Sequence, residues 1–239
     1  MISKKDLSVV IPCKNEKENI IILLDSLYNQ VDIDNIDVII ADSSDDKITV
    51  NLINENSLKY SDKLNIILIK GGYPSVARLN GSVFVKSDYI LFIDSDIYFD
   101  NKYTLIECFN NIKNNNKALL TIPFKTKDIY NIVYKFFDLF QYIGLKLDTC
   151  FAVGGFQLWK TEEYWNVGGY NPDLLFAEDY WISSKVDKSK FTIYRGKHVY
   201  TYSRRFKSKG IFYMFKLMIL SYFNRNNIEF FKKSHNYWK

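Results

Sequence analysis

Cysteine is scarce in this 239-residue chain. Cys13, Cys108 and Cys150 are odd in number and widely spaced, so neither a disulfide framework nor a zinc pattern emerges. A reducing, cytoplasmic setting is the expectation. Long apolar runs are missing too. The greasiest stretch, IFYMFKLMILSYF at 211–223, contains Lys216 and falls well short of the about 20 apolar residues that a membrane-spanning helix needs. At the start, Lys4, Lys5 and Asp6 precede an apolar run too short for a signal-peptide core. A protein that is soluble, or peripheral at a membrane face, is expected. Acid is nearly absent from residues 204–239, where Glu229 stands alone among Arg204, Arg205, Lys207, Lys209, Lys216, Arg225, Lys232, Lys233 and Lys239. Over the whole chain the excess is only +5, which does not define a nucleic-acid binder.

Hydrophobic residues make up 47% of the chain and charged residues 25%, enough for a packed core and against disorder. Aromatics reach 17%, which suggests broad apolar surfaces or walls facing sugars and lipids. The length suits one α/β domain with a helical appendage.

LSVVIP (7–12), IDVIIAD (36–42), LNIILIK (64–70) and YILFID (89–94) are near-continuous apolar runs, the pattern of strands buried on both faces. Helical patterns alternate with them: 15–30, with Asn15 as expected N-cap, and 75–86. This β-α-β alternation predicts a mostly parallel sheet with helices on both faces. Further strands are expected at 118–124 and 153–159, a helix at 129–145, and a helical C-terminal segment from Lys209. Ligands of such sheets sit beyond the carboxyl ends of the strands. Pro12, Asp42 and Asp94 fall there.

FIDSD brings Asp94 and Asp96 to the end of a strand. In extended backbone, i and i+2 side chains share one side. Two like charges so placed call for a cation, and a hard divalent ion with oxygen ligands fits. A solvated turn is the plainer alternative. Asp42 could accept hydrogen bonds from a nucleobase or ribose, or form an Asx-turn. The loop at 12–16 meets a helix N-terminus, where exposed N–H groups suit a nucleotide. Glu178 and Asp179 read either as a catalytic pair or as acids favoured at a helix start.

SVVIPCKNE (8–16), IIADSSDD (39–46), SVARLNGSVFVKSDYILFIDSD (75–96) and GGYNPDLLFAEDYWISSKV (168–186), in this order and spacing, resemble the family 2 glycosyltransferases of the GT-A fold. The resemblance runs from about Leu7 to about Arg205. It implies a GT-A domain over 1–205 with a basic, aromatic helical extension over 206–239. It also implies transfer of a sugar from a nucleotide-diphosphate donor to an acceptor hydroxyl, with inversion and with Mn²⁺ or Mg²⁺. Pro12 and Glu16 would then lie along the nucleoside, Asp42 would bind the base, and Arg78 would lie near the nucleotide or its phosphates. Asp94 would touch ribose or metal, Asp96 would ligate the metal, and Asp179 would be the catalytic base with Glu178 beside it. HVYTYSRRFKSKG (198–210) is similar to a basic segment of some members, which implies Arg205, or else Arg204, on the diphosphate and His198 in the metal shell. Leu79 departs from the family's usual Asn.

Inverting transfer needs only one carboxylate base, so no covalent nucleophile is required. The alternatives are a nucleotidyltransferase, disfavoured by the glycine-free loop CKNEKEN, and an inactive nucleotide-sugar binder, disfavoured by retention of the acids. The tail and the 129–145 helix suggest peripheral membrane contact. Acceptors such as a polyprenyl-linked glycan or a polysaccharide are compatible with this, and nucleic acid is not an expected partner.

Overall fold

The computed structural model describes residues 1–237, so Trp238 and Lys239 of the expected extension lie outside the described residues. A short strand β1 (Ile2–Ser3) leads into β2 (Leu7–Cys13), α1 (Lys17–Tyr28), β3 (Ile33–Asp34), β4 (Ile36–Asp42), α2 (Ile48–Tyr60), β5 (Leu64–Lys70), α3 (Pro74–Val83) and β6 (Tyr89–Ile93). The chain continues through β7 (Ile97–Tyr98), α4 (Thr104–Asn114), β8 (Leu119–Thr121), β9 (Phe124–Lys125), α5 (Asn131–Lys146), β10 (Phe156–Lys160) and α6 (Thr161–Asn166). It closes with α7 (Glu178–Ser183), β11 (Phe191–Ile193), β12 (Val199–Thr201), α8 (Arg204–Lys209), α9 (Ile211–Phe223) and α10 (Ile228–Phe231).

The central sheet runs β11-β8-β10-β6-β2-β4-β5. Strands β6, β2, β4 and β5 are mutually parallel, while β10 is antiparallel to both β6 and β8. This is the mostly parallel GT-A architecture. A ribbon of β7, β12 and β9 forms a separate small sheet.

The apolar runs explain the layers. Side chains alternate across a strand, so Val9, Ile11, Val38, Ile40 and Leu91 join Ile20, Leu23, Leu24 and Leu27 of α1 in one core. Val10, Ile39, Ile90 and Phe92 join Trp159, Tyr164 and Ile182 in the other. Burying each such side chain contributes about 1.5–3 kcal/mol. On the second face α3 lies close against β2. A Cβ at Gly81 would come 2.4 Å from Val10 Cγ1, so only glycine allows that approach.

The entry to α1 differs from the sequence expectation. The helix starts at Lys17, with Glu16 as N-cap residue and no side-chain cap. Asn15 instead adopts φ 55°, donates Nδ2–H to Asp45 Oδ2 at 3.0 Å and accepts from the Asp45 N–H at 3.1 Å. It ties the loop after β2 to the loop after β4, which a cap could not do.

The C-terminal helices are packed on the body rather than hanging from it. Leu217 of α9 and Phe231 of α10 pack with Leu174, Phe176 and Tyr180, and Met214 packs with Val133 and Phe206. Among the described residues, no helix is long and apolar enough to cross a membrane.

Candidate active site

Parallel register brings the strand ends level. Pro12 pairs with Ala41 and Cys13 with Asp42, and Asp94 follows β6 directly. Asp42 forms the Asx-type turn, accepting from Ser44 Oγ at 2.7 Å and from the Ser44 N–H at 3.3 Å. Burial, reinforced by Asp42 and Glu16, pushes the Cys13 thiol up to about 12, so it stays protonated and is no nucleophile.

Asp94 and Asp96 are not in extended backbone as the spacing suggests. The Ile97 N–H donates to the Asp94 carbonyl at 3.1 Å, which closes a turn and sends the two carboxylates to different guanidinium groups.

Arg78 of α3 is the first of these. It is buried, and it donates Nη2–H to Asp94 Oδ1 at 2.5 Å and Nη1–H to Glu178 Oε1 at 2.5 Å. Its Cζ lies 5.4 Å from the centroid of the Tyr170 ring. One fork thus neutralises an acid from the sheet and an acid from α7, which desolvation would otherwise make costly. Gly154 permits the contact: a Cβ there would fall 2.7 Å from Arg78 Nη2 and 3.2 Å from Asp179 Cβ.

Asp179 is held by backbone. Its Oδ2 accepts from the Gly154 N–H at 2.7 Å and its Oδ1 from the Tyr180 N–H at 2.8 Å. Ala177, just before α7, is left-handed with φ 46°, a conformation that costs a non-glycine residue about 1–2 kcal/mol and that other contacts must hold in place. Burial pushes the Asp179 carboxyl above the usual carboxylate range, against the pull of Arg78 and the two N–H donors. Burial raises Glu178 in the same way, again opposed by Arg78.

Arg204 of α8 is the second guanidinium. Its Nη2–H groups reach Glu16 Oε1 at 2.6 Å and Asp96 Oδ2 at 2.9 Å. Burial, with Asp94 nearby, raises the Asp96 carboxyl, and Arg204 opposes the rise. Arg205 instead lies over the ring of Tyr237 at 4.4 Å and donates to its hydroxyl. Arg204 thus pairs directly with Asp96 and Glu16, while Arg205, against the pull of burial, lies near enough to Tyr237, Asp94 and Asp96 to have its pKa raised by them.

His198 does not join them. It lies 3.5 Å from Asp100 and packs on Tyr200. In the antiparallel β7–β12 ladder Tyr200 faces Tyr98, so continuing the register sets His198 opposite Asp100, well along the ribbon from Asp96. Burial lowers its pKa, and its placement argues against the expected metal-ligand role.

Behind these acids opens a cavity of about 330 Å³. Arg78, Asp94, Glu178, Asp179 and Arg205 line part of it, and much of the remaining wall is apolar, from α5, α7 and α9. The sequence assigned no site role to Gly154 or to Tyr170 of the GGYNPD segment and did not place the cavity, because each depends on how distant segments pack.

Among the described residues no three His, Cys, Asp or Glu side chains converge as a metal site. Asp94 and Asp96 still fit a Mg²⁺- or Mn²⁺-type ion, which is commonly held by one or two carboxylates with phosphate and water supplying the rest. Both carboxylates already face cationic groups in Arg78 and Arg204.

A mostly parallel sheet thus ends in a rim of acids with a cavity behind it. The chain belongs to glycosyl transferase family 2, whose family model matches residues 8–168. A poly(ribitol-phosphate) beta-glucosyltransferase of Bacillus spizizenii is 31% identical over 118 residues, covering 47% of this chain and 18% of that protein. The crystal structure of S. aureus TarS 1–349 in complex with UDP has a TM-score of 0.65 at 22% identity, over 82% of this chain and 60% of that one. The mannosyltransferase PcManGT from Pyrobaculum calidifontis, in complex with GDP-Man and Mn²⁺, has a TM-score of 0.68 at 15% identity, over 90% and 64%. The chain thus spans less than a fifth of the curated relative and under two thirds of either solved chain. The structural likenesses show the shared fold.

Proposed function

We propose that this chain transfers a sugar from a nucleotide-diphosphate donor to an acceptor hydroxyl with inversion, aided by a divalent ion. The observation that carries the reading is Asp179: a partly buried carboxylate, fixed by two backbone donors, beside Arg78 and Asp94 and open to the cavity. The UDP and GDP-Man complexes of the structural relatives support a nucleotide-diphosphate donor.

Pro12, Glu16 and Asp42 form the nucleoside wall at the ends of β2 and β4. Asp94 and Asp96 would hold the ion, which when bound would supply Lewis-acid stabilisation for a leaving diphosphate. Arg204, already on Asp96 and Glu16, supplies a fork for phosphate oxygens. Asp179 accepts the acceptor hydroxyl's proton as that oxygen bonds to the anomeric carbon. The bond from that carbon to the diphosphate breaks, and the nucleoside diphosphate leaves with the electron pair. Because this is a single displacement, no enzyme nucleophile is consumed. Glu178, tied to Arg78, positions the helix start that carries Asp179. Residues 1–205 carry this chemistry, and the helices after them roof the cavity.

Asp179→Asn should bind donor with nearly wild-type affinity while kcat falls about 10²–10⁴-fold, the usual worth of a general base. Calorimetric donor binding together with steady-state transfer measures both. Loss of donor affinity with kcat retained would remove Asp179 from the role.

A further inference from the structure

Resting on the transferase reading, we infer that the acceptor is an amphiphile: a hydroxyl-bearing head on a hydrocarbon chain, presented from a membrane surface. The cavity behind Asp179 carries the argument. Its lining joins the acids and Arg205 to an apolar wall of Phe137, Phe140, Ile143, Leu217, Met218 and Phe223, of which Ile143 and Phe223 are exposed. Phenylalanine rings can stack on the C–H faces of a sugar, but the aliphatic Ile143, Leu217 and Met218 offer sugar hydroxyls no partners, an expensive mismatch. A hydrocarbon chain matches that wall.

The cavity is continuous with an exposed greasy face. Ile143, Leu147, Ile219 and Phe223 line it and are also largely exposed. From them an exposed stripe continues along α5 through Leu139, Phe136 and Ile132, at the three- and four-residue spacing of one helix face. Phe212 of α9, 92% exposed, extends the apolar surface on the second helix. Monomeric proteins rarely expose contiguous apolar patches of this kind without a use. Basic groups accompany the stripe: Lys135 and Lys146 on α5 are exposed, matching an anionic lipid surface. Together these features suit a chain that leaves the bilayer directly into the cavity and sets its head beside Asp179. They do not suit a protein partner, which would cover the stripe and leave the cavity unexplained.

The test compares methyl and dodecyl glucoside below the latter's micelle concentration, read by displacement of the fluorescent probe N-phenyl-1-naphthylamine. The wild type should bind dodecyl glucoside at least tenfold more tightly than methyl glucoside. Gly144 lines the cavity, and a Cβ there meets only the Thr149 carbonyl oxygen, at 3.5 Å. Gly144→Phe should therefore fill the space and abolish the chain-length preference. Leu147→Asp, at the exposed mouth, should weaken it at little risk to folding. Equal binding of the two glucosides, or an unchanged preference in both variants, overturns the inference. A parallel thermal-shift panel of UDP-, GDP- and dTDP-sugars separates the two readings. Shifts with a nucleotide sugar but no chain-length effect defeat only the amphiphilic acceptor, whereas no shift with any of them defeats the transferase reading itself.

Discussion

Single residues decide the chemistry, and their charges make it measurable. The Asp179 carboxyl is raised above its ordinary value of 3.8, first by burial. A base acts when deprotonated, and a raised pKa keeps it protonated to higher pH. Activity should therefore fail on acidification sooner than an exposed aspartate would predict. The acid limb of kcat/KM against pH reports that group in the free enzyme, and a limb at or below 3.8 would contradict the assignment. Asp96 offers a second measurement. Mn²⁺ should increase the thermal stabilisation given by a nucleotide diphosphate, and Asp96→Ala should remove most of that increment while leaving the metal-free shift in place. The acids themselves were legible in the sequence, since an acid at the end of an apolar run is conspicuous. Their partners were not. A turn at Asp94 separates the two carboxylates, and the ladder carries His198 to Asp100. Both outcomes follow from backbone hydrogen bonds that residue spacing does not specify.

At the scale of elements, α3 meets β2 with little tolerance. Any side chain at Gly81 drives into Val10, so Gly81→Val should destabilise the fold by about 1–3 kcal/mol, as overpacking does. Urea denaturation measures it, and pairing the change with Val10→Ala should restore part of the loss. Because α3 also carries Arg78, the double variant should fold yet transfer slowly. Strands β2, β4 and β6 were readable because burial on both faces leaves an unbroken apolar run. The antiparallel direction of β10 was not readable. Its VGGFQLW segment looks like any buried strand, and only pairing with β6 and β8 fixes its sense.

For the molecule as a whole, the basic helical extension is structural, whatever its part in the proposed membrane contact. Leu217 and Phe231 are core residues against α7, so truncation before α9 would unroof the cavity and expose apolar surface. Charge reversal is the cleaner probe of membrane contact. Lys135→Glu combined with Lys146→Glu should reduce binding to anionic vesicles about tenfold or more, each basic residue near such a surface being worth about 1 kcal/mol. Raising the salt should weaken wild-type binding in the same direction. Co-sedimentation with vesicles of defined anionic content measures both, and indifference to charge and salt would remove the electrostatic component. The amphipathic character of α5 and α9 was apparent from sequence alone. The hollow between them was not, because it depends on the angle at which they settle.

Arg78 holds one acid from the sheet with one hand and one from α7 with the other. On the proposed reading, the donor wall and the acceptor wall share a hinge-pin. A descendant that exchanged Asp94 to accept a new donor would disturb Glu178, and with it the recipient's berth, in the same stroke. Along this lineage, preferences for giver and receiver should drift together rather than apart.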